Sequence, residues 1–162
     1  MAVAEGSPAG AAAELLTSLR AVGWTLGTAE SLTGGRLAAT IVDVPGASAV
    51  FRGSVVAYDP AVKLEVLGVD PELVARVGTV DEEVATQMAK GAARVLGVDV
   101  AIATTGVAGP GPSEGHPAGT VWLACLTPDG LRTRRLALTG DRDAVRTGAV
   151  QAALALAARD SP

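Results

Sequence analysis

The chain has 162 residues, a formal net charge of −4, one cysteine and one histidine. This length fits one domain with a real hydrophobic core, and the single cysteine and histidine exclude an intramolecular disulfide and metal sites built from several such residues. The acidic balance and the scarcity of aromatic residues argue against a protein that binds nucleic acid by stacking bases.

The first third of the chain predicts a helix, a strand and a second helix. Residues 1–10 are small and polar, so we expect them to form a disordered N-terminal tail. Apolar residues at helical spacing predict a helix over 11–22. An apolar strand at 24–29 follows, and after a turn at Ser31 a second helical pattern runs to about Val42.

The middle third predicts helices between two strands. Proline is favoured at the first position of a helix, which suits Pro60, and glycine commonly ends one, which suits Gly97. Residues 98–104, at the end of this third, are almost continuously apolar, as in a strand of a sheet covered on both faces. In chain order we predict strand 51–58, helix 61–67, a short helix from Asp70, a longer helix from Asp81 to about Gly97, and strand 98–104.

The last third predicts a hairpin and a long helix. A loop rich in glycine and proline spans 105–118, strands 120–126 and 132–138 form the hairpin, and Asp141 caps a helix over 142–158. Strands that alternate with helices indicate an α/β fold, with a mostly parallel sheet between two helical layers and one antiparallel hairpin.

The turn around Ser31 is the first candidate site. Its hydroxyl follows a buried strand and precedes a helix start, where unpaired N–H groups attract a phosphate or a developing oxyanion. Sites of open α/β sheets lie beyond the carboxyl ends of the strands, a position that segments 31–35, 58–63 and 104–110 share. A plain structural turn is the alternative for each segment.

The scarcity of lysine gives the second clue. A lysine can act as a base when burial removes its proton, whereas arginine cannot. Lys63 and Lys90 are the only lysines, and Lys63 follows the single tyrosine, Tyr58, at the mouth of a predicted strand. Ser31, Lys63 and Tyr58 therefore form a candidate nucleophile, base and hydroxyl relay. The alternative is a surface lysine on a short helix.

Three further residues are weaker candidates. His116 competes for the role of base, but it lies in a segment dense in glycine and proline that is poorly suited to holding one, so we rank it below Lys63. Arg142 and Arg146 share a face at the start of the last helix, where an arginine could hold a phosphate. Pairing with a nearby surface acid is the alternative, and we favour it for Arg146.

Eight motifs, in family order from about Leu15 to Leu156, resemble the CinA C-terminal domain family. They are Thr28-Ala29-Glu30-Ser31-x-Thr33-Gly34-Gly35, Val44-Pro45-Gly46-Ala47-Ser48, Phe51-Arg52-Gly53, Val56-Ala57-Tyr58, Lys63-x4-Gly68-Val69, Thr105-Gly106-Val107-Ala108-Gly109-Pro110, Pro117-x-Gly119-Thr120-Val121 and Gly140-Asp141-Arg142. Each motif alone is weak, whereas the set is highly specific. The resemblance implies a single domain over 11–162, a three-layer α/β/α sandwich with a five-stranded mixed sheet. Some members carry an additional N-terminal domain, which we do not expect here.

The activity that the resemblance implies is nicotinamide-nucleotide amidase, which hydrolyses nicotinamide mononucleotide to nicotinate mononucleotide and ammonia in pyridine-nucleotide salvage. It implies Ser31 as the nucleophile, Tyr58 and Lys63 as its activating partners, and Thr105 with the turn 106–109 as substrate contacts. We expect N–H groups around 33–35 to hold the oxyanion, and Arg142 to contact ribose and phosphate. The predicted substrate contacts are Glu30, Thr33, Gly34, Gly35, Thr105, Gly106, Ala108, Gly109 and Arg142.

The chain departs from the family pattern at two informative places. Leu32 stands where the family usually has a cysteine, which favours Ser31 as the nucleophile, and Gly111-Pro112-Ser113 stands where the family commonly has Asp-Gly-Gly. The altered loop leaves open the hydrolysis of another small amide. A separate alternative is a non-catalytic nucleotide-binding or regulatory module, which would use the same turns to hold a phosphate.

For cofactors and partners the expectations are simple. The hydrolysis needs no cofactor and no metal, and the partner is a small nucleotide rather than nucleic acid or a membrane. The composition is compatible with a homodimer. No apolar run could cross a membrane and no signal-peptide pattern occurs, so we expect a cytoplasmic protein.

Overall fold

Apolar stretches form the centre of the sheet in the computed structural model, which describes residues 6–158. The strands are β1 Leu26–Glu30, β2 Phe51–Val56, β3 Val100–Gly106, β4 Thr120–Thr127 and β5 Gly130–Ala137. They form one mixed sheet in the order β2-β1-β3-β4-β5. β1 pairs in parallel with β2 and β3, whereas β4 runs antiparallel to both of its neighbours. Within the described residues β4 alone opposes the other strands, which confirms the predicted mixed α/β sheet.

Helices cover both faces of this sheet. They are α1 Pro8–Val22, α2 Arg36–Val42, α3 Pro60–Glu65, α4 Pro71–Val77, α5 Glu82–Leu96 and α6 Arg142–Ala158, and a short 3₁₀ turn occupies Ala47–Ala49. One apolar core joins α1, α2 and α6 to the sheet, and a second joins α3, α4 and α5 to its other face. This is the expected three-layer sandwich. No helix in residues 6–158 is long and apolar enough to cross a membrane.

Local capping fixes where the helices begin. Asp59 and Asp81 accept backbone N–H bonds two residues ahead, and Asp141 accepts one from Ala144 at 2.9 Å. These bonds satisfy N–H groups that a helix start leaves without partners. Because Asp59 is followed by Pro60, α3 begins directly behind β2. The predicted caps at Asp81 and Asp141 and the helix start at Pro60 are confirmed.

Several predicted boundaries differ from the structure by a few residues, and two of the differences change how a segment is assigned. Ser7 caps α1 by accepting from Gly10 N–H at 3.1 Å, so residues 8–10, predicted as tail, are helical. The rest of the predicted tail, residues 1–5, lies outside the described part of the chain. β3 continues through Gly106, because its last residues pair with β4, so Thr105 and Gly106 belong to a strand rather than to the predicted loop.

Candidate active site

Ser31 lies at the carboxyl edge of the sheet, directly after β1. Its N–H donates to Thr104 O of β3 at 2.9 Å, so two neighbouring strands fix its position. Both neighbours of β1 run parallel to it, and their carboxyl ends therefore open on the same edge. This is where α/β sheets bind ligands.

Lys63 lies beside Ser31. The first turn of α3 places it behind the end of β2, and only 1 % of its surface is exposed. Its Nζ lies 3.0 Å from Ser31 Oγ and donates to Ala57 O at 2.7 Å. The alternative of a surface lysine on a short helix is therefore wrong, because the side chain is buried with its amine against a hydroxyl.

The surroundings of Lys63 favour its neutral form. Burial lowers the pKa of the Lys63 amine below its ordinary value, while the negative charges of Glu114 and Asp59 oppose that shift. A neutral amine has two N–H groups, one of which donates to Ala57 O, and a lone pair that can accept the Ser31 proton. The pair can therefore generate an activated serine oxygen.

The N–H groups of α2 are not available to a ligand. The carboxylate of Glu30 is completely buried beneath the helix and accepts from Gly35 and Leu37 N–H at 3.0 Å and from Ala38 N–H at 2.8 Å. Gly34 N–H donates instead to Ser31 O at 3.0 Å. Of the N–H groups at 33–35 expected to hold an oxyanion, those of Gly34 and Gly35 thus bond within the protein, and so does the carboxylate of Glu30.

Two predicted substrate contacts are buried threonines. Thr33 is fully buried and its hydroxyl pairs with the Thr104 hydroxyl at 2.8 Å. Thr105 is 1 % exposed and its hydroxyl donates to Thr79 O at 2.7 Å. Both hydroxyls join segments of the protein to each other, so neither is a substrate contact in this geometry.

A cavity of about 440 Å³ opens in front of the Ser31–Lys63 pair. This volume lies within the usual range for small-molecule sites. The structure brings together at this cavity Ser31, Tyr58, Lys63, Gly106, Ala108, Gly109 and Arg142. The predicted residues that do not line it are Glu30, Thr33, Gly34, Gly35 and Thr105. His116 does not line it either, and its backbone bonds to Ser113.

Tyr58 and Arg142 form the mouth of the cavity. The Tyr58 side chain is 61 % exposed, and its hydroxyl accepts from Arg142 Nη2 at 3.0 Å. Arg142 Nη1 donates to Gly109 O at 2.8 Å, which ties α6 to the loop after β3. Within residues 6–158 no hydrogen bond joins the Tyr58 hydroxyl to Ser31 or Lys63, so the expected relay has no direct contact here.

Sequence reasoning missed Glu114. Its carboxylate accepts from the N–H and the hydroxyl of Thr79, at 2.5 and 2.8 Å, and both residues line the cavity. Glu114 has φ +51°, which is uncommon for a residue with a side chain, and its hydrogen bonds to Thr79 stabilise this conformation. Its only signal in the sequence was a lone charge in a glycine- and proline-rich loop.

Arg146 is also placed differently from expectation. Its Nε and Nη2 donate to Leu32 O and Thr33 O, both at 2.9 Å, rather than to a surface acid. The sequence carried no signal for this contact, because it joins residues more than a hundred positions apart.

Comparison with known proteins identifies the family. The model of the CinA C-terminal domain matches residues 2–160. A CinA-like protein of Frankia casuarinae is 50% identical over 135 residues, 83% of this chain and 31% of that protein. A putative competence-damage inducible protein of Desulforamulus reducens is 45% identical over 135 residues, 83% of this chain and 33% of that protein. The chain thus spans about a third of the length of these relatives.

Solved structures agree with this assignment. A CinA superfamily protein from Klebsiella pneumoniae superposes with a TM-score of 0.91 at 37% identity, over 95% of this chain and 97% of that one. A CinA superfamily protein from Enterobacter cloacae gives a TM-score of 0.94 at 31% identity, over 100% of this chain and 96% of that one. Sequence and structure together show that the chain belongs to the CinA C-terminal domain family.

Proposed function

We propose that this chain is an amidohydrolase that converts nicotinamide mononucleotide to nicotinate mononucleotide and ammonia. The observation that carries the proposal is the 3.0 Å contact between a buried lysine amine, Lys63 Nζ, and a hydroxyl, Ser31 Oγ, at the wall of a cavity. The substrate comes from the motifs shared with the family, and its size suits a cavity of about 440 Å³.

The first half of the reaction forms an acyl-enzyme. Neutral Lys63 accepts the Ser31 proton while Oγ forms a bond to the carboxamide carbon, whose oxygen becomes negatively charged. The resulting Lys63 ammonium gives its proton to the amide nitrogen, the carbon–nitrogen bond breaks, and ammonia leaves. An ester between Ser31 and the nicotinoyl group remains.

The second half returns the enzyme to its starting state. A water molecule gives a proton to neutral Lys63 and attacks the ester carbon. The bond from that carbon to Oγ breaks, Oγ takes the proton back from Lys63, and nicotinate mononucleotide leaves. Lys63 thus serves as base and acid in both halves.

The oxyanion needs N–H donors near Ser31. Among residues 6–158 no hydrogen-bond partner exists for the N–H groups of Leu32 and Thr33, which follow Ser31 directly. Both residues are buried, and buried N–H groups without partners are rare in proteins. Leu32 lines the cavity whereas Thr33 does not, so we assign the oxyanion to the Leu32 N–H in place of 34–35, and one such donor contributes about 10²–10³-fold to the rate.

The mouth of the cavity suits the other end of the substrate. Arg142 provides a guanidinium group there, where it can meet a phosphate, and Tyr58 provides an exposed ring and hydroxyl beside it. In this arrangement Tyr58 contacts the substrate or orients Arg142, rather than passing a proton.

Ammonia release from nicotinamide mononucleotide tests the proposal directly. Ser31→Ala and Lys63→Met should each lower kcat by more than about 10⁴-fold, because both groups take part in bond making. Lys90→Met is the matched control, since Lys90 is the other lysine and is exposed on α5. Unchanged turnover in Ser31→Ala would remove Ser31 as the nucleophile.

A trapping experiment separates catalysis from simple binding. Hydroxylamine competes with water for an acyl-enzyme and yields the hydroxamate, so wild type should form it and Ser31→Ala should not. Calorimetric binding of the nucleotide without ammonia or hydroxamate would favour the alternative, a nucleotide-binding or regulatory module.

One observation favours a second class of substrate, another small amide. Residues 111–114, where the chain departs from the family pattern, line the cavity. Assays with nicotinamide, nicotinamide riboside and other small amides should give a kcat/KM below that of the mononucleotide. A higher value for another amide would assign the chain to that substrate.

A further inference from the structure

Arg146 binds the backbone of the turn that directly follows Ser31, residues 32–33. It lies one turn along α6 from Arg142, and its side chain is half-buried. Its guanidinium group donates to two consecutive carbonyl oxygens, Leu32 O and Thr33 O, both at 2.9 Å. Residue 34 has φ +58°, a left-handed conformation that favours glycine, and a Cβ atom there would lie 3.2 Å from Arg146 Nη2.

These two hydrogen bonds fix the direction of the neighbouring N–H groups. In a trans peptide the carbonyl and the following N–H point in opposite directions, and the peptide bonds of this turn are trans. Because Leu32 C=O points to the guanidinium group, Thr33 N–H points away from it. Thr33 C=O is held in the same way, and the next N–H, of Gly34, donates to Ser31 O at 3.0 Å.

The charge of Arg146 is not neutralised by an acid. Among residues 6–158 no acid pairs with Arg146, whereas Arg36, on the same side of the sheet, pairs with Asp143. Arg146 directs its positive charge at the carbonyl oxygens of the turn that carries the Leu32 N–H group. A fixed charge behind such donors favours a developing oxyanion, since it needs no reorganisation during the reaction.

We propose that Arg146 is a positioning residue of the hydrolysis, which holds the Leu32 and Thr33 carbonyl groups so that the N–H group of Leu32, a residue that lines the cavity, meets the oxyanion formed at Ser31. This inference rests on the proposed serine hydrolysis. Arg146 does not line the cavity, so it acts through the turn and not on the substrate.

The experiment compares kcat and KM of wild type, Arg146→Met, Arg146→Lys and Arg36→Met. Arg36 is a matched control because its guanidinium group contacts α6, through Asp143 and Thr147, and does not contact the turn carbonyls. Arg146→Met should lower kcat by about 10²-fold with KM within about threefold, because misplaced reacting groups cost this much. Arg146→Lys should restore part of kcat, and Arg36→Met should stay close to wild type.

Each other outcome overturns the inference. A wild-type kcat in Arg146→Met would show that the turn keeps its conformation without Arg146. An equal loss of kcat in Arg36→Met would show a general effect of the α2–α6 contact. A raised KM with normal kcat would make Arg146 a substrate-binding residue. Thermal unfolding of all four proteins identifies any loss of kcat that comes from unfolding.

A second readout separates this inference from the choice of substrate. A fluorophosphonate labels an activated serine and needs the same oxyanion donors, without any amide. If wild type labels at Ser31 but does not hydrolyse the nucleotide, Arg146→Met should still label about 10²-fold more slowly. If wild type does neither, the proposed function and this inference both fall.

Discussion

Lys63 is held between two opposing influences. Burial lowers the pKa of its amine, and the carboxylates of Glu114 and Asp59 raise it. In the proposed reaction only the neutral amine can accept the serine proton, so we expect activity to rise as the pH increases through the pKa of Lys63. The residues around the amine therefore set the lower pH limit of the reaction.

Replacing Glu114 should move that limit. Glu114→Gln removes a negative charge that favours the ammonium form but keeps an oxygen that can accept from Thr79. The pKa of Lys63 should fall further, and the acidic limb of the kcat/KM profile should move to lower pH. Asp59→Asn should shift the limb in the same direction but less, because Asp59 is the smaller influence. A limb that stays in place or moves to higher pH would contradict this account.

The same burial makes Lys63 costly for stability. Its pKa is lower in the folded than in the unfolded chain, so the unfolded chain binds more protons and wild-type stability rises with pH up to the ordinary value of lysine. Lys63→Met should raise Tm by a few °C near neutral pH, with a smaller gain near pH 10. Differential scanning calorimetry at both pH values tests this, and a lower Tm at neutral pH would contradict it.

At the scale of elements, the start of α2 is organised by a strand rather than by its own cap. Gly35 precedes the helix with φ +92° and makes no side-chain cap. The cap comes from Glu30, the last residue of β1, whose carboxylate lies under the first turn. The strand and the helix are thus fixed to each other, with Ser31 in between.

Removal of that charge should weaken the fold. Glu30→Gln places an amide NH₂ against backbone N–H donors, and we expect a loss of about 2–3 kcal/mol in the free energy of unfolding, the range for hydrogen bonds to a charged group. Glu14→Gln, an exposed acid on α1, should stay within about 0.5 kcal/mol of wild type. Urea denaturation measures both, and equal stability of Glu30→Gln and wild type would refute the capping role.

Elements were more predictable than the site because their causes are local. Asp141 before α6 and the apolar run of β3 lie next to the structures they determine. Ser31 and Lys63 were predictable because each follows a strand of the same sheet edge. The contacts of Glu30 and Arg146 depend on tertiary packing, which the sequence does not show. The glycines at 34–35 therefore resembled ligand contacts, whereas Gly35 N–H donates to the Glu30 carboxylate and Gly34 lies against the Arg146 guanidinium group.

At the scale of the whole molecule, close packing between layers positions Lys63. Gly91 of α5 lies against the backbone of Leu67, just after α3, with no room for a Cβ atom. This approach lets α3 lie low enough on the sheet for its lysine to reach the end of β1. A glycine inside a helix is unfavourable by itself, so packing explains its presence.

Two alanine substitutions separate packing from helix propensity. Gly91→Ala should lower the free energy of unfolding by about 1–3 kcal/mol, because overpacking outweighs the gain in propensity. Gly148→Ala in α6 should be neutral or slightly stabilising, since its Cβ would meet only the flexible end of Leu138. Urea denaturation of both variants measures the difference, and a stabilised Gly91→Ala would contradict the packing argument.

The contributors to the candidate site lie on opposite layers of the sandwich: Lys63 comes from α3 on one face, and Arg142 and Arg146 come from α6 on the other. Ser31 stands between them on the central sheet. The proposed activity therefore requires both outer layers to be packed on the sheet at once. On heating, we expect catalytic inactivation to precede the loss of helical signal, because detachment of either layer dismantles the site while most of the secondary structure is still intact.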